Sequence, residues 1–323
     1  MLRVRTAGPL GYCFGVSQAV DKAVKFTQEN GPLYSLGTLA HNEAVVEYLI
    51  QHRVYPVTDE DITPGMNVAI TAHGAPPETY RMLEEMKCKI LDCTCPIVRR
   101  SQKVVSQQLD GFDIVIFGDP DHQEVIGLNG WAKGAKFVGN FYDLFTPGQD
   151  LKELKLGGKI GIISQTTKIP EEFADFVTTL VNRNFERLRE IRVVNTICPI
   201  VSARVNETRK LAGEVDMMFV VGSRESANTR NLETVCRRAI THARGMVEPW
   251  GVTLVQNTDQ VGEALSDWFV EKGTIYRWSE MDFPKIGVTA GTSTPIEVVK
   301  EVVNKLKELL YERESGNQRL GDE

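Results

Sequence analysis

The chain has 323 residues, of which 42% are hydrophobic and 25% charged, so it is neither a disordered nor a fibrous protein. Its formal net charge of −6 argues against a nucleic-acid-binding surface, which requires clustered lysine and arginine. The first residues lack an apolar signal segment and no run reaches the ~18 apolar residues of a membrane span, so we expect a cytoplasmic protein without membrane contact.

Six cysteines are spread over the chain, at positions 13, 88, 93, 95, 198 and 236. In the reducing cytoplasm they would remain thiols, and some of them could be metal ligands rather than members of a disulfide framework. Cys88 and Cys236 are interpreted as small buried hydrophobic residues.

Three of these cysteines stand in related local sequences. Cys13, Cys95 and Cys198 each precede a polar, helix-compatible stretch, and the last two share the sequence Cys-Pro-Ile-Val. Each is therefore predicted to lie at or just before the start of a helix. The register of this repeat selects Cys95 rather than Cys93 as the cysteine that corresponds to Cys13 and Cys198.

The elements downstream of each cysteine follow the same order along the chain. An apolar strand comes first, then a glycine and a polar residue four positions later, and the separations from cysteine to glycine are 24, 23 and 24 residues. The pairs are Gly37 with His41, Gly118 with His122, and Gly222 with Ser226. A second strand and polar loop then lead to a proline and a glutamate, which are helix-start signals, in residues 68–78, 161–171 and 287–297.

This alternation predicts an α/β protein built from three pseudo-threefold-related α/β units with small, mainly parallel sheets around a central site. The predicted units are residues 1–95 with Cys13, residues 96–196 with Cys95 at the boundary, and residues 197–311 with Cys198 and a C-terminal helix. Residues 312–323 are predicted to be a frayed tail. Since ligands bind at the carboxyl ends of parallel strands, we expect the three cysteines and the polar loops to face one centre.

Three thiolates at helix N-termini would form a site for a soft metal. Cysteines are the usual ligands of iron–sulfur clusters and normally number four, so three would leave one iron open to a substrate. A zinc site of the Cys3His type is the alternative.

The polar loops also contain side chains that could bind the oxygens of a phosphate group at helix N-termini. Individually, a histidine is more often structural and a serine before a helix is more often only a cap, but their recurrence in the three units favours a common site. These residues are His41, His73, His122, Thr166, Thr167, Ser226, Asn228 and Ser293.

Glu124 is an acid two residues after His122 in one of these loops. It could simply stabilise the helix N-terminus that follows. A carboxyl group near an anionic cluster and a phosphate would instead have a raised pKa and could act as a proton donor.

The motifs, taken together and in order, resemble those of the 4-hydroxy-3-methylbut-2-enyl diphosphate reductase family of the non-mevalonate isoprenoid pathway. The resemblance covers nearly the whole chain. It rests on Cys13-Phe14-Gly15-Val16, His41-Asn42, Ala72-His73-Gly74, Asp92-Cys93-Thr94-Cys95-Pro96, His122-Gln123-Glu124-Val125, Gln165-Thr166-Thr167, Asn195-Thr196-Ile197-Cys198, Gly222-Ser223 with Ser226 and Asn228, and Thr289-Ala290-Gly291 with Ser293.

The resemblance implies an oxidoreductase with one [4Fe-4S] cluster on Cys13, Cys95 and Cys198 and one open iron. Its diphosphate would be held by His41, His73, His122, Ser226, Asn228 and Ser293. Thr166 would contact the substrate hydroxyl and Glu124 would relay protons. Ferredoxin or flavodoxin would deliver two electrons singly, and the products would be isopentenyl and dimethylallyl diphosphates.

Four positions depart from the pattern of this family, namely Ala227, Cys93, Gln123 and Val205, and none is a cluster position. Two other functions remain open from the sequence. One is a dehydratase similar to quinolinate synthase, acting without net reduction. The other is a non-enzymatic iron–sulfur sensor or zinc-stapled binding module, in which Glu124 and the Thr166-Thr167 pair would have no task.

Overall fold

The computed structural model describes residues 4–145, 156–244, 251–275 and 284–321, with the backbone alone for residues 244, 268–275 and 313–321. Within these ranges twelve strands form three four-stranded sheets, and every strand pair is parallel. Helices alternate with the strands along the chain. The predicted α/β fold with small parallel sheets is therefore confirmed.

The three sheets repeat one strand order. The first sheet has the order β3-β2-β4-β5, the second β7-β6-β8-β9 and the third, read in the same direction, β11-β10-β12-β1. The strands are β1 (Val4–Thr6), β2 (Leu33–Leu36), β3 (Val54–Val57), β4 (Asn67–Ile70), β5 (Lys89–Asp92), β6 (Asp113–Phe117), β7 (Phe137–Gly139), β8 (Lys159–Ser164), β9 (Glu190–Val193), β10 (Met217–Val221), β11 (Val252–Val255) and β12 (Ile286–Ala290).

The first strand of the chain belongs to the third sheet. β1 pairs with β12, with Val4 opposite Ile286, so it occupies the edge that β5 and β9 occupy in the other two sheets. Residues 1–95 therefore contain all four strands of the first sheet and, in addition, the edge strand of the third sheet. The boundaries near residues 95 and 197 stay a prediction.

The helices begin where the sequence signals predicted. Helices start one residue after each of Cys13, Cys95 and Cys198, as predicted. The helices are α1 (Phe14–Asn30), α2 (Glu43–Gln51), α3 (Pro77–Glu85), α4 (Pro96–Lys103), α5 (Gln123–Trp131), α6 (Pro170–Asn184), α7 (Pro199–Ala212), α8 (Ala227–Arg244), α9 (Asp259–Ile275) and α10 (Ile296–Gly321). None of the described helices combines the length and apolar character needed to cross a membrane.

The C-terminal helix runs into the segment 312–323, for which a frayed tail was predicted. α10 continues to Gly321, and residues 322 and 323 lie outside the described residues, so the predicted fraying stays a prediction. Val302, Leu306 and Leu310 of this helix are buried in the core of the third sheet. Extension of an existing helix adds one backbone hydrogen bond for each residue fixed, so the polar residues that follow can continue it without a new nucleation step.

The chain divides into two compact units. The terminal unit consists of the residues up to Cys13, His41–Val45 and those from Ala203 onward, and it contains the third sheet. The central unit consists of Phe14–Ala40 and Val46–Ser202, and it contains the first and second sheets. All residues of β10 and β12 are buried, as expected for parallel strands covered on both faces.

Aromatic packing dominates the core of the second sheet. Phe176 of α6 is fully buried, and its ring centroid lies 4.9 Å from that of Phe117 and 5.8 Å from that of Phe137. Truncation of a buried phenylalanine to alanine typically costs about 3–5 kcal/mol. We expect Phe176→Ala to lower the free energy of unfolding by about this amount, as measured by urea denaturation.

Phe185, which follows α6 and is 70% exposed, provides the matched control. Phe185→Ala should change the free energy of unfolding by less than about 0.5 kcal/mol. Equal losses in the two variants would contradict the assignment of this core.

Candidate active site

Cys13, Cys95 and Cys198 have the same structural setting. Each follows the edge strand of one sheet and immediately precedes a helix, namely α1, α4 or α7. The backbone N–H of Cys13 donates to Thr292, that of Cys95 to Ala72 and that of Cys198 to Thr166, in each case to the carbonyl oxygen two residues beyond the neighbouring strand. These bonds measure 3.0, 3.0 and 2.8 Å. The repeat seen in the sequence is thus also a repeat of backbone hydrogen bonding.

The turns before two of these cysteines are built alike. The Oδ1 atoms of Asp92 and Asn195, each three residues before its cysteine, accept the backbone N–H two residues further on, at 2.9 and 3.0 Å. Such side-chain turns end a strand and direct the chain into the following helix. They place Cys95 and Cys198 immediately before helix N-termini.

Cys93 points elsewhere. Its side chain is 2% exposed and its Sγ lies 3.9 Å from the carbonyl oxygen of Ala19. Burial raises the pKa of the Cys93 thiol to about 12, so it stays protonated. The position that corresponds to it before Cys198 is Thr196, whose hydroxyl bonds both the N–H and the carbonyl of Ser164. Both residues face the protein interior.

Glu124 and Thr166 are in direct contact. The backbone N–H and the hydroxyl of Thr166 donate to the two carboxylate oxygens of Glu124, both at 2.7 Å. Glu124 lies in the first turn of α5 and is only 1% exposed. Desolvation by burial raises the pKa of Glu124 to about 7, although the two hydrogen bonds from Thr166 oppose this shift. The carboxyl group can therefore gain and lose a proton near neutral pH.

An ion pair beside this carboxyl, formed by a buried lysine and a partly exposed aspartate, was not anticipated from the sequence. Lys168 Nζ lies 2.6 Å from Asp119 Oδ1, and only 8% of the lysine side chain is exposed. Asp119 also accepts from Asn140 at 3.1 Å. Lys168 lies close enough to Glu124 to oppose the rise of its pKa. The one available signal was a lysine directly after the Gln165-Thr166-Thr167 motif, which is too common to select a site.

Two of the candidate histidines meet. The rings of His73 and His122 lie 5.3 Å apart, edge to face, and His122 Nδ1 accepts the backbone N–H of Glu124 at 3.2 Å. His73 follows Ala72, whose carbonyl binds Cys95, and Thr166 binds both Glu124 and Cys198. Within the central unit, direct contacts and neighbouring residues therefore connect Cys95 to Cys198 through the predicted His73, His122, Glu124 and Thr166.

The terminal unit contains the other candidates. Ser226 precedes α8, is 3% exposed, and its Oγ lies 3.4 Å from the backbone N–H of Thr229, the position of a helix cap. Asn228, in the first turn of α8, is 2% exposed, and neither polar atom of its amide has a hydrogen-bond partner in the protein. An unpaired buried amide is unusual, because desolvation without a partner costs about 1–3 kcal/mol. The sequence-predicted role of Asn228 in binding a ligand stays a prediction.

His41 and Ser293 lie in the same unit. Ser293 stands in the loop between β12 and α10 and is 8% exposed. Burial lowers the pKa of His41, while the nearby Glu225 opposes this shift, so the imidazole is neutral around pH 7. A neutral imidazole can donate one hydrogen bond to a phosphate oxygen.

The cysteines are the side chains that a soft metal would use as ligands. All six lie in the described ranges and none forms a disulfide. In the portion of the chain that the structure describes, no three or more His, Cys, Asp or Glu side chains are grouped so as to hold a metal ion. The donor chemistry of Cys13, Cys95 and Cys198, each at a helix N-terminus, is that of thiolate ligands for an iron–sulfur cluster.

Comparison with known proteins gave matches over nearly the whole chain. The family model described as LytB protein matches residues 4–307. A 4-hydroxy-3-methylbut-2-enyl diphosphate reductase of Dehalococcoides mccartyi is 34% identical over 313 residues, which cover 95% of this chain and 99% of that relative.

Solved structures gave a similar result. One is of (E)-4-hydroxy-3-methyl-but-2-enyl diphosphate reductase, described as the terminal enzyme of the non-mevalonate pathway, with 30% identity, a TM-score of 0.61, and coverage of 94% of this chain and 99% of the other. Another is of E-1-hydroxy-2-methyl-but-2-enyl-4-diphosphate reductase from Plasmodium falciparum. It has 23% identity, a TM-score of 0.75, and coverage of 93% and 86%, and it supports the fold alone. The matched residues of the family model include all three related cysteines.

Proposed function

Because this chain belongs to the family of LytB proteins, we propose that it is a reductase that converts 4-hydroxy-3-methylbut-2-enyl diphosphate to isopentenyl and dimethylallyl diphosphates. The names of the similar reductases support this reaction. Two electrons and two protons enter, the substrate's carbon–oxygen bond breaks, and its hydroxyl group leaves as water. The carbon skeleton and the diphosphate are unchanged.

The proposal includes one [4Fe-4S] cluster held by Cys13, Cys95 and Cys198. Their shared backbone setting, in which each N–H is bonded to a neighbouring loop and each thiol stands before a helix, supports this ligand set. When bound, the cluster would supply single-electron transfer and one open iron for the substrate oxygen. Reduced ferredoxin or flavodoxin would be the electron donor, and the cytoplasm is the compartment that keeps such thiols reduced.

The diphosphate would be held by His41, His73, His122, Ser226, Asn228 and Ser293. Imidazole, hydroxyl and amide groups at helix N-termini bind phosphate oxygens without requiring a lysine-rich surface. The unpaired amide of Asn228 supports this assignment, because a phosphate oxygen would give its buried N–H donors a partner.

The contact between Glu124 and Thr166 is the observation that carries the proposed chemistry. Departure of a hydroxyl group requires a proton, and Glu124 has a pKa of about 7 and bonds to the Thr166 hydroxyl. Thr166 would orient the substrate hydroxyl, and Glu124 would deliver the proton through it or directly. Burial of both side chains would exclude water from this transfer.

The test is an anaerobic purification followed by iron and sulfide analysis and a turnover assay. We expect about four iron and four sulfide per chain. With reduced ferredoxin or a dithionite-reduced dye, 4-hydroxy-3-methylbut-2-enyl diphosphate should be converted to the two five-carbon diphosphates. A preparation that loses water from the substrate without any electron donor, or that reduces nothing, would overturn the proposal.

Asn228 allows a second test that needs no cluster. In Asn228→Leu an apolar group replaces the unpaired amide, so the ligand-free protein should be at least as stable as wild type. Affinity for inorganic diphosphate should fall about tenfold or more, because one hydrogen bond to a charged group is worth about 1.5–3 kcal/mol. Calorimetric titration and thermal unfolding measure the two effects.

Asn206→Leu, on the exposed side of α7, is the matched control and should change neither quantity measurably. A loss of stability in Asn228→Leu with unchanged diphosphate affinity would make Asn228 a structural residue.

A further inference from the structure

Arg204 is a fully buried cation whose partners are backbone atoms. It lies on α7 and is 1% exposed, which makes it one of the largest fully buried side chains among the described residues. Its Nη1 donates to the carbonyl of Ala290 at 2.7 Å, and its Nη2 donates to the carbonyl of Gly11 at 2.9 Å. Its Nε has no hydrogen-bond partner in the protein.

Both carbonyls belong to the segments that hold Cys13. Gly11 lies two residues before Cys13 and has φ +84°, in the left-handed region. Ala290 ends β12, and the carbonyl of Thr292, two residues further on, accepts the backbone N–H of Cys13 at 3.0 Å. The guanidinium group thus bonds both to the end of β12 and to the turn that precedes Cys13.

The charge of Arg204 is not balanced by a carboxylate. Among the described residues Arg204 forms no ion pair with an aspartate or glutamate, and burial lowers the pKa of the guanidinium. The Cys13 thiol lies close enough to oppose this shift. A guanidinium stays protonated in proteins, so a full positive charge is retained in the interior. Such a charge is costly unless an anion compensates it, and the Cys13 side chain lies near it in the same unit.

We propose that Arg204 is a positioning residue for Cys13, which holds the Cys13 turn against the end of β12 and places a permanent positive charge beside the Cys13 sulfur. The inference rests on the proposed cluster, for which Cys13 would be one ligand. It assigns to a residue outside the motif positions a role in ligand geometry and in the electrostatics of electron uptake.

A fixed positive charge near a cluster ligand stabilises the more negative, reduced state. Its removal should therefore make one-electron reduction less favourable. Two unit charges in partly buried surroundings interact strongly enough to predict a change of about tenfold in the reduction equilibrium. For a one-electron couple this equals a fall of ~59 mV in the midpoint potential.

The experiment compares anaerobically purified holoprotein of wild type, Arg204→Gln and Arg204→Lys. Iron content is counted, and the midpoint potential is measured by redox titration monitored by electron paramagnetic resonance. Arg204→Gln removes the charge but can still donate to one of the two carbonyls. Its equilibrium constant for one-electron reduction should be about tenfold lower than that of the wild type. Arg204→Lys keeps the charge, so its equilibrium constant for one-electron reduction should stay within about twofold of the wild-type value.

Arg209, on the same helix, provides the control for a lost positive charge. Its Nη1 donates to Asn206 at the surface, and Arg209→Gln should leave the potential at the wild-type value. A purely structural role for Arg204 would lower iron content in both Arg204 variants without separating Gln from Lys in potential. This outcome would overturn the electrostatic part of the proposal.

Failure of the proposal is distinguishable from failure of the proposed function. A wild-type preparation without iron and sulfide would overturn the function and, with it, the role of Arg204. A normally loaded wild type together with an unshifted Arg204→Gln variant would overturn the role of Arg204 alone. If Arg204→Gln does not fold, Arg204→Lys still tests the proposal. A fall of tenfold or more in its equilibrium constant for reduction would contradict the proposal, because the charge is retained in this variant.

Discussion

Replacement of Glu124 by glutamine should lower turnover by about 10²–10⁴-fold, the range that general acid catalysis contributes. Glutamine has nearly the same shape and can still accept from Thr166 through its amide oxygen, but it cannot release a proton. We therefore expect iron content and affinity for the diphosphate substrate to remain at wild-type values. Steady-state kinetics, iron analysis and calorimetry together separate a lost proton donor from a disturbed site.

The pH dependence of the wild type provides an independent measure. Burial raises the pKa of Glu124 to about 7, so the carboxyl is mainly protonated below that pH and mainly ionised above it. A proton donor acts in its protonated form, so kcat should be constant below about pH 7 and fall above it. The fall of kcat above about pH 7 should be absent in Glu124→Gln.

Glu78 provides the control for a helix-start acid. It lies exposed in the first turn of α3, so Glu78→Gln should leave turnover and its pH profile unchanged. Wild-type turnover in Glu124→Gln would remove this carboxyl from the chemistry and would leave it with the structural task of closing the α5 N-terminus.

Cys95→Ser should abolish stable cluster binding, whereas Cys93→Ser should retain the wild-type iron content. Cys95 precedes α4 in the setting shared with Cys13 and Cys198, and a serine hydroxyl is a much poorer ligand for iron than a thiolate. The measurements are the iron and sulfide content and the visible charge-transfer spectrum of each anaerobic preparation.

Cys93 is the matched control because it is two residues away and differs in orientation. Its Sγ faces the carbonyl of Ala19, and a serine hydroxyl could donate to the same oxygen. The corresponding position before Cys198 is already a hydroxyl residue, Thr196. Loss of the cluster in Cys93→Ser but not in Cys95→Ser would overturn the register of the three ligands.

Much of the fold was predictable because each copy of its repeat contains the same local sequence signals. Strands of continuous apolar residues, the glycines that follow them and the prolines of helix starts recur three times, and each is determined by short-range chemistry. The helix starts after Cys13, Cys95 and Cys198 were predicted for this reason. The place of β1 at the edge of the third sheet was not, because an edge strand of three residues has no local signal for its partner.

Some residues of the candidate site could be selected from the sequence, and others could not. Thr166 was selected from the polar loops and Glu124 as an acid two residues after His122, and the structure places them in hydrogen-bond contact. Lys168 and Arg204 were missed, since a single lysine or arginine in an acidic protein is usually a solvated surface residue. Their burial beside Glu124 and Cys13 depends on neighbours distant in sequence.

By itself, therefore, the sequence determined the α/β class, the threefold order of strands, loops and helices, and which cysteine of each repeat precedes a helix. These properties follow from side-chain polarity and backbone preference within short segments. Only the tertiary structure decided which strands pair, which polar groups become buried and how burial moves the pKa of Glu124. Those properties depend on desolvation and on contacts between distant segments, which exist only after the chain has folded.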